Sequence, residues 1–269
     1  MQDLEVKALQ ADERYGFANN KGHPMWEAEL IDPASKFVVS HAQGRRDEEL
    51  IRALLSDGAK RLSNPHDMVL FTDGLSSYES LFPEIFGRAY HPARQGRRGR
   101  FPKQRYRIPR TAAHVQIVKH RQRRRVTQVE IRYPHGSRKR VQEAMIELGY
   151  TTPNTSAIER RNGTARLMTF TQTRRSLAFA RRDDLKLALG WWGVTVYNWT
   201  RPHRSLKALL PEPRGKKSMN NVPQPWPWAW RIPFYLSPTS SSPPFTLIPV
   251  GDNLTLLSNK VPVQGFEYW

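Results

Sequence analysis

The chain has 269 residues, with 43 Lys and Arg against 24 acidic residues, a formal net charge of +19 and a pI of about 10.6. An excess of that size points to a polyanionic partner, with nucleic acid ahead of a membrane surface. Cysteine is absent, which excludes a disulfide framework, a thiolate zinc site and a cysteine nucleophile. No apolar run approaches the roughly 18–20 residues of a membrane span, and the first residues lack the basic and apolar regions of a secretion signal.

In chain order, residues 1–87 read as the first part of an α/β domain. Strands are expected over 4–11, 25–31 and 36–42, with Asp32-Pro33-Ala34-Ser35 as a tight turn between the last two. A helix is expected from Asp47 to Leu62, because Leu50, Ile51, Leu54, Leu55 and Leu62 fall on one face. Met68-Val69-Leu70-Phe71 is apolar on both faces and belongs in the middle of a sheet. It ends in Thr72-Asp73-Gly74, and a short helix is expected over Tyr78 to Phe86.

Residues 88–140 hold 18 Lys or Arg and one acid, Glu130, and are expected to form a strongly basic insertion. Two stretches within it, Ala113–Lys119 and Val126–Arg132, read as strands of a hairpin turning at 121–125. Solvated faces normally mix both signs of charge, so this one-signed segment is expected to contact nucleic acid. The candidate contacts are Arg97, Arg98, Arg100, Lys103, Arg105, Arg121, Arg123, Arg124, Arg125, Arg138, Lys139 and Arg140.

Residues 141–207 are expected to be a helical second part of the same domain. One helix covers Val141 to Leu148 and is closed by Gly149. A second is opened by Ser156 and carries Ile158 and Leu167. A third runs from Asp183 to Trp199, its N-terminal acids favourable to the helix dipole. The remaining residues, 208–269, read as an irregular C-terminal tail: 11 of the 21 prolines lie in the 59 residues from Pro211 onward, beside the tryptophan-rich Pro225-Trp226-Pro227-Trp228-Ala229-Trp230.

Phosphoryl transfer on nucleic acid requires hard divalent cations at the scissile phosphate, held by a few carboxylates at strand ends and on a nearby helix. Asp12 is expected to end the first strand, Asp73 to end the apolar strand, and Glu159 to start a helix. Ligands of open sheets bind beyond strand ends, which suits the first two. Each acid also has an ordinary structural explanation. Asp73 sits in a turn sequence, Asp12 and Glu13 read as a surface acid pair, and Ser156 with Glu159 reads as a capping box. Asp32 is accounted for by its turn.

The ordered set Leu9-Gln10-Ala11-Asp12-Glu13, then Phe71-Thr72-Asp73-Gly74 with Tyr78 downstream, then Asn154-Thr155-Ser156-Ala157-Ile158-Glu159-Arg160-Arg161-Asn162-Gly163-Thr164-Ala165-Arg166, resembles the DDE transposases of small bacterial insertion sequences of the insertion-sequence-one type. Trp26 to Arg45 is similar to the family's paired strands after its first Asp. Tyr197-Asn198-Trp199-Thr200-Arg201-Pro202-His203-Arg204-Ser205-Leu206 is similar to its closing helix and "N-x-x-R-P-H-x-S-L" end. The resemblance covers roughly residues 5–207.

It implies an RNase H-like fold, a mixed sheet with flanking helices. It carries Asp12, Asp73 and Glu159 over as the catalytic, metal-binding triad for two Mg²⁺ (or Mn²⁺) ions. In that family a water and then a DNA 3′-hydroxyl attacks a phosphodiester. The partners implied are transposon-end and target DNA, with Arg160 and Arg161 as further contacts. The implied place is the bacterial cytoplasm, at the nucleoid and not a membrane, and a homodimer is allowed. The family's N-terminal DNA-recognition region has no counterpart ahead of Asp12, so a shortened copy is expected. Two alternatives stay open: a non-catalytic DNA-binding remnant, and a nuclease without strand transfer.

Overall fold

The first strand, β1 (Ala8–Arg14), is buried along nearly its whole length and lies inside a six-stranded sheet. It begins and ends later than its apolar pattern predicts, so Asp12 lies within the strand and not at its end. The computed structural model describes residues 3–93, 101–123, 125–172, 178–201, 203, 206, 245–250 and 253–258. The chain divides into two compact units, Met1–Gln224 and Pro225–Trp269.

In the first unit β1 is followed by β2 (Trp26–Ile31) and β3 (Val38–Gly44), an antiparallel meander. Asp32 builds the turn between β2 and β3, accepting from the amides of Ala34 (2.9 Å) and Ser35 (3.0 Å). Helix α1 (Glu48–Arg61) comes next. Asp47 caps it by accepting from the Leu50 amide at 3.1 Å, acids occupy its first turn and cations its last, and its predicted apolar face is buried. The apolar run becomes β4 (Val69–Thr72), every residue of it buried, and α2 (Ser76–Phe86) follows.

A small antiparallel pair, β5 (Arg88–Tyr90) with β6 (Arg105–Arg107), precedes the long hairpin of β7 (Ala113–Gln122) and β8 (Arg125–His135). Helices α3 (Arg138–Leu148), α4 (Ser156–Met168) and α5 (Asp183–Trp199) complete the unit. Sheet order is β3-β2-β1-β4-β7-β8, with β1/β4 and β4/β7 parallel and the other pairs antiparallel. The fold is therefore α/β with a mixed sheet. Among the described residues no helix is long and apolar enough to cross a membrane.

The expectation of a basic insertion over 88–140 is corrected here. Ala113, Val115 and Ile117 of β7 are buried in the central core with Val69 and Phe71 of β4 and with Val141 and Ala144 of α3. Beyond Ile117 the apolar alternation of β7 stops, and from His120 onward the still-paired hairpin is exposed as a basic arm. α5 also departs from its pattern. Its inward face is Lys186, Gly190, Gly193, Val194, Tyr197 and Asn198, whereas Leu185, Leu187, Trp191, Trp192 and Trp199 are exposed. The Asn198 amide clips onto edge strand β3, accepting from Val38 N (2.9 Å) and donating to Val38 O (3.0 Å). On α4, Ile158 is buried and Leu167 is 87% exposed.

In the second unit, β9 (Phe245–Val250) and β10 (Asn253–Ser258) pair antiparallel, so the tail is not irregular throughout. The Pro/Trp segment 225–230 and the rest of 208–244 lie outside the described residues, as do Pro202, Arg204 and Ser205 of the sequence that closes the α5 region.

Candidate metal centre

β1 and β4 run side by side and parallel, with Gln10 opposite Phe71. Continuing that register two residues sets Asp12 beside Asp73, the first residue after β4. A third acid joins them. One carboxylate oxygen from each of Asp12, Glu13 and Asp73 lies within 4.8 Å of the others. Glu13 is not a surface residue. It is buried, accepts from the Tyr78 hydroxyl at 2.6 Å and from Arg46 Nη2 at 3.0 Å, and Arg46 in turn stacks on Trp26. Asp73 accepts from the Leu75 amide at 3.0 Å, so its turn role and its place in the acid group coexist. Burial, with the neighbouring charges of Glu13 and Asp73, pushes the Asp12 carboxyl up to about 7, against opposing bonds from the Glu13 amide and Asn162. Burial and Asp73 likewise raise Glu13, despite Tyr78 and Arg46.

α4 forms one wall of the cleft above these acids. The cleft measures about 540 Å³, and Glu159, Asn162 and Arg166 of α4 line it together with Lys119 and Arg121 of β7. Positions i, i+3 and i+7 share a helix face, so the spacing of Glu159, Asn162 and Arg166 was a signal in the sequence for two residues not singled out there. The capping box is corrected. Thr155, not Ser156, is the N-cap, and its side chain caps no amide. The amides of Ala157 and Ile158 instead donate to Gln10 Oε1 from β1, at 3.0 and 3.1 Å. Glu159 thus has no capping duty. It accepts from the Thr155 hydroxyl at 2.6 Å and pairs with the Lys119 ammonium. Burial works to raise its carboxyl, but the bonds from Lys119 and Thr155 and the charges of Lys119 and Arg121 hold it below its ordinary value. Glu159 therefore lines the same cleft as Asp12 and Asp73 but is not one of the close group.

Asn162 links the cleft to a buried ionic network. Its Oδ1 accepts from Arg14 Nη1 at 3.0 Å and its Nδ2 donates to Asp12 Oδ2 at 2.8 Å. Arginine has only donors, so the amide orientation is forced and Asp12 always receives the N–H. Behind it, Arg14, Arg161 and Lys186 meet Glu27 and Glu29 in the interior. Arg14 donates to Glu29 at 2.7 Å and pairs with Glu27, Arg161 donates to Glu29 at 2.9 Å, and Lys186 pairs with Glu27. Burial alone would raise Glu29, but Arg14 and Arg161 hold it well below the usual carboxylate range.

The candidate nucleic-acid contacts divide three ways. Lys103, Arg105, Arg121, Arg123, Arg125, Arg138, Lys139 and Arg160 are exposed. Arg140 and Arg161 are corrected. Arg140 is buried, donating to Thr111 O (2.9 Å) and Asp67 (3.3 Å); Arg161 is 1% exposed, bound to Glu29 with its guanidinium 4.3 Å from the centre of the Tyr197 ring. Adjacent helical residues point about 100° apart, which is why Arg160 faces solvent and Arg161 does not. Arg97, Arg98, Arg100 and Arg124 lie outside the described residues.

No protein-family model matches the chain, and no curated protein sequence does. What the site can do must follow from its chemistry. An all-oxygen donor set of mutually repelling carboxylates, with Asp12 raised by burial and by Glu13 and Asp73, fits a hard divalent ion such as Mg²⁺ or Mn²⁺. The cations Lys119, Arg121 and Arg166 on the walls fit a phosphate backbone.

Proposed function

We propose that the chain is a metal-dependent polynucleotidyl transferase of the DDE transposase type, with an RNase H-like fold, acting on DNA. The observation that carries this is the pairing of acids and cations in one cleft: Asp12 and Asp73 side by side on adjacent parallel strands, Glu159 on the facing helix, and Lys119, Arg121 and Arg166 around them. Asp12 and Asp73, with Glu13 or Glu159, would hold the ions. When bound, two such ions activate the attacking oxygen and stabilise the leaving oxygen of a phosphodiester. The chain's own part is to hold and orient. Asn162 donates to one Asp12 oxygen and the Glu13 amide to the other, which fixes the orientation of that carboxylate beside Asp73. Tyr78 and Arg46 fix the Glu13 carboxylate in turn, one donating to each of its oxygens. The basic arm beyond Lys119 neutralises phosphates without reading bases, so affinity should drop steeply with salt.

A supercoiled plasmid incubated with the full chain in Mg²⁺ or Mn²⁺ tests this. Nicking and joining of a 3′ end to target DNA, both abolished in Asp73→Asn with DNA binding retained, is the expected result. Cutting without joining would mark a nuclease. One observation favours a second possibility, a non-catalytic DNA-binding protein: Glu159 is occupied by Lys119 outside the close acid group. Salt-sensitive DNA binding with no nicking in any divalent ion would establish it.

A further inference from the structure

Glu159 faces an acid group that it does not join. Its carboxylate is taken by Thr155 and Lys119, while the oxygens of Asp12, Glu13 and Asp73 gather within 4.8 Å of one another in the same cleft. Thr155 is a neighbour on the same helix end, but Lys119 comes from β7, across the cleft, forty positions earlier in the chain. It sits where the strand emerges from the core: Ile117 is buried, Val118 and Lys119 are half-buried, and His120 is exposed. The Lys119 and Glu159 side chains are 29% and 46% exposed, so both have room to turn.

The geometry points to Lys119 as a positioning residue that holds Glu159 in reserve and releases it when metal and DNA enter together. This rests on the metal-dependent function proposed above. The ammonium stands in for part of the charge that a divalent ion would bring. A cation arriving between Asp12 and Asp73 repels Lys119 and attracts Glu159. A phosphate arriving in the cleft offers Lys119 a second anion in place of Glu159. Either event loosens the pair and the two reinforce each other, so metal affinity and DNA affinity are coupled through one exchange of partners. Reciprocity then requires that DNA tighten metal binding by the same factor by which metal tightens DNA binding.

The test is Mn²⁺ binding to the full chain, read as free Mn²⁺ by electron paramagnetic resonance, with and without a short DNA duplex and with the DNA-only titration as blank. Wild type should bind Mn²⁺ more tightly when DNA is present. Lys119→Met should bind Mn²⁺ about fivefold more tightly than wild type without DNA, the equivalent of a partly exposed ion pair of about 1 kcal/mol, and should gain little more from DNA. Two controls separate partner exchange from simple loss of positive charge. Arg121→Met removes a cation from the same cleft and should have a clearly smaller effect. In a Glu159→Gln background the Lys119→Met gain should vanish. An equal gain in Arg121→Met, or a gain that survives Glu159→Gln, overturns the role of Lys119. So does Mn²⁺ binding by wild type that Lys119→Met leaves unchanged, with the metal site itself intact. Failure of wild type to bind Mn²⁺ at all removes both the inference and the metal-dependent function.

Discussion

Glu29→Gln is the substitution on which the buried network stands most exposed to test. Glu29 is fully buried and receives Arg14 at 2.7 Å and Arg161 at 2.9 Å, and each arginine is at most 2% exposed. Within this network three cations, Arg14, Arg161 and Lys186, meet two carboxylates, Glu27 and Glu29. Losing Glu29 leaves three against one, and Glu27 already serves Arg14, Lys186 and the Gln172 amide. Breaking a buried pair by removing one partner costs about 3–5 kcal/mol, because the stranded charge stays desolvated. Against a typical total stability of about 5–15 kcal/mol, that is a third or more of the total for most of the range. Urea unfolding followed by far-UV circular dichroism measures it. Glu48→Gln is the control: its pair with Arg52 on α1 is open to water and should cost far less. Replacing Arg161 and Glu29 together by Met and Leu should cost less than Glu29→Gln alone, since it removes a charge of each sign. A Glu29→Gln unfolding free energy within about 1 kcal/mol of wild type would refute the view that Glu29 neutralises both arginines.

Three further outcomes are expected. Because the Asp12 carboxyl is pushed up to about 7, it carries a proton below that pH which an incoming metal must expel; Mn²⁺ affinity should rise about tenfold per pH unit up to about 7 and level off above, as a pH series of titrations would show. Asn162→Ala removes the donor to Asp12 and the acceptor for Arg14, and should weaken Mn²⁺ binding by about 10–100-fold, measured in the same way. His114 is fully buried and its ring is held down to about 3 by burial and by His135, so the unfolded chain takes up a proton near the ordinary value of 6.5 while the folded chain does not. Its contribution to stability is present above about 6.5 and is lost as pH falls toward 3, by up to about 1.4 kcal/mol per unit. His114→Gln should flatten that slope in urea unfolding measured between pH 7 and pH 4.

Much of the sheet was legible because its strands and α1 carry one-dimensional patterns. β4 is apolar on both faces, and α1 has a clean stripe with Asp47 ahead of it. The failures have a common physical source, which is that partners distant in sequence decided the outcome. The β7 strand was legible, but its place beside β4 in the central sheet was not, because its buried half and its solvated half merge into one basic segment; alternation of Ala113, Val115 and Ile117 was the better guide than charge. Glu13 reads as a surface acid until Tyr78 and Arg46 are known to close over it. Ser156 and Glu159 have the spacing of a capping box, but the Glu159 and Ser156 amides it would serve go to Thr155 O and Asn154 Oδ1, and Gln10, nearly 150 residues away, takes the next two, those of Ala157 and Ile158. Lys186 carries no sequence signal of burial and is wholly buried on Glu27. Asp73 follows its strand as the sequence suggests, whereas Asp12 lies inside β1 and is brought beside Asp73 by the parallel register of β1 and β4, which the sequence does not display.

The way α4 is seated explains why stability and the acid site cannot be separated in this chain. Alternate residues of a strand share a face, and on one face of β1 the residues are Gln10, Asp12 and Arg14. All three are spent on α4: Gln10 takes the amides of Ala157 and Ile158, Asp12 takes Asn162 Nδ2, and Arg14 gives to Asn162 Oδ1. Apolar contacts alone would tolerate a small slide or rotation of the helix. This polar ladder does not, since a shift of one residue would break the Asn162 bonds to Asp12 and Arg14 and take two helix-end amides away from Gln10 together. The backbone of Glu159 is thereby fixed over the cleft to within the tolerance of a hydrogen bond. What remains adjustable is its side chain, and the partner that holds it is the Lys119 ammonium on the far wall.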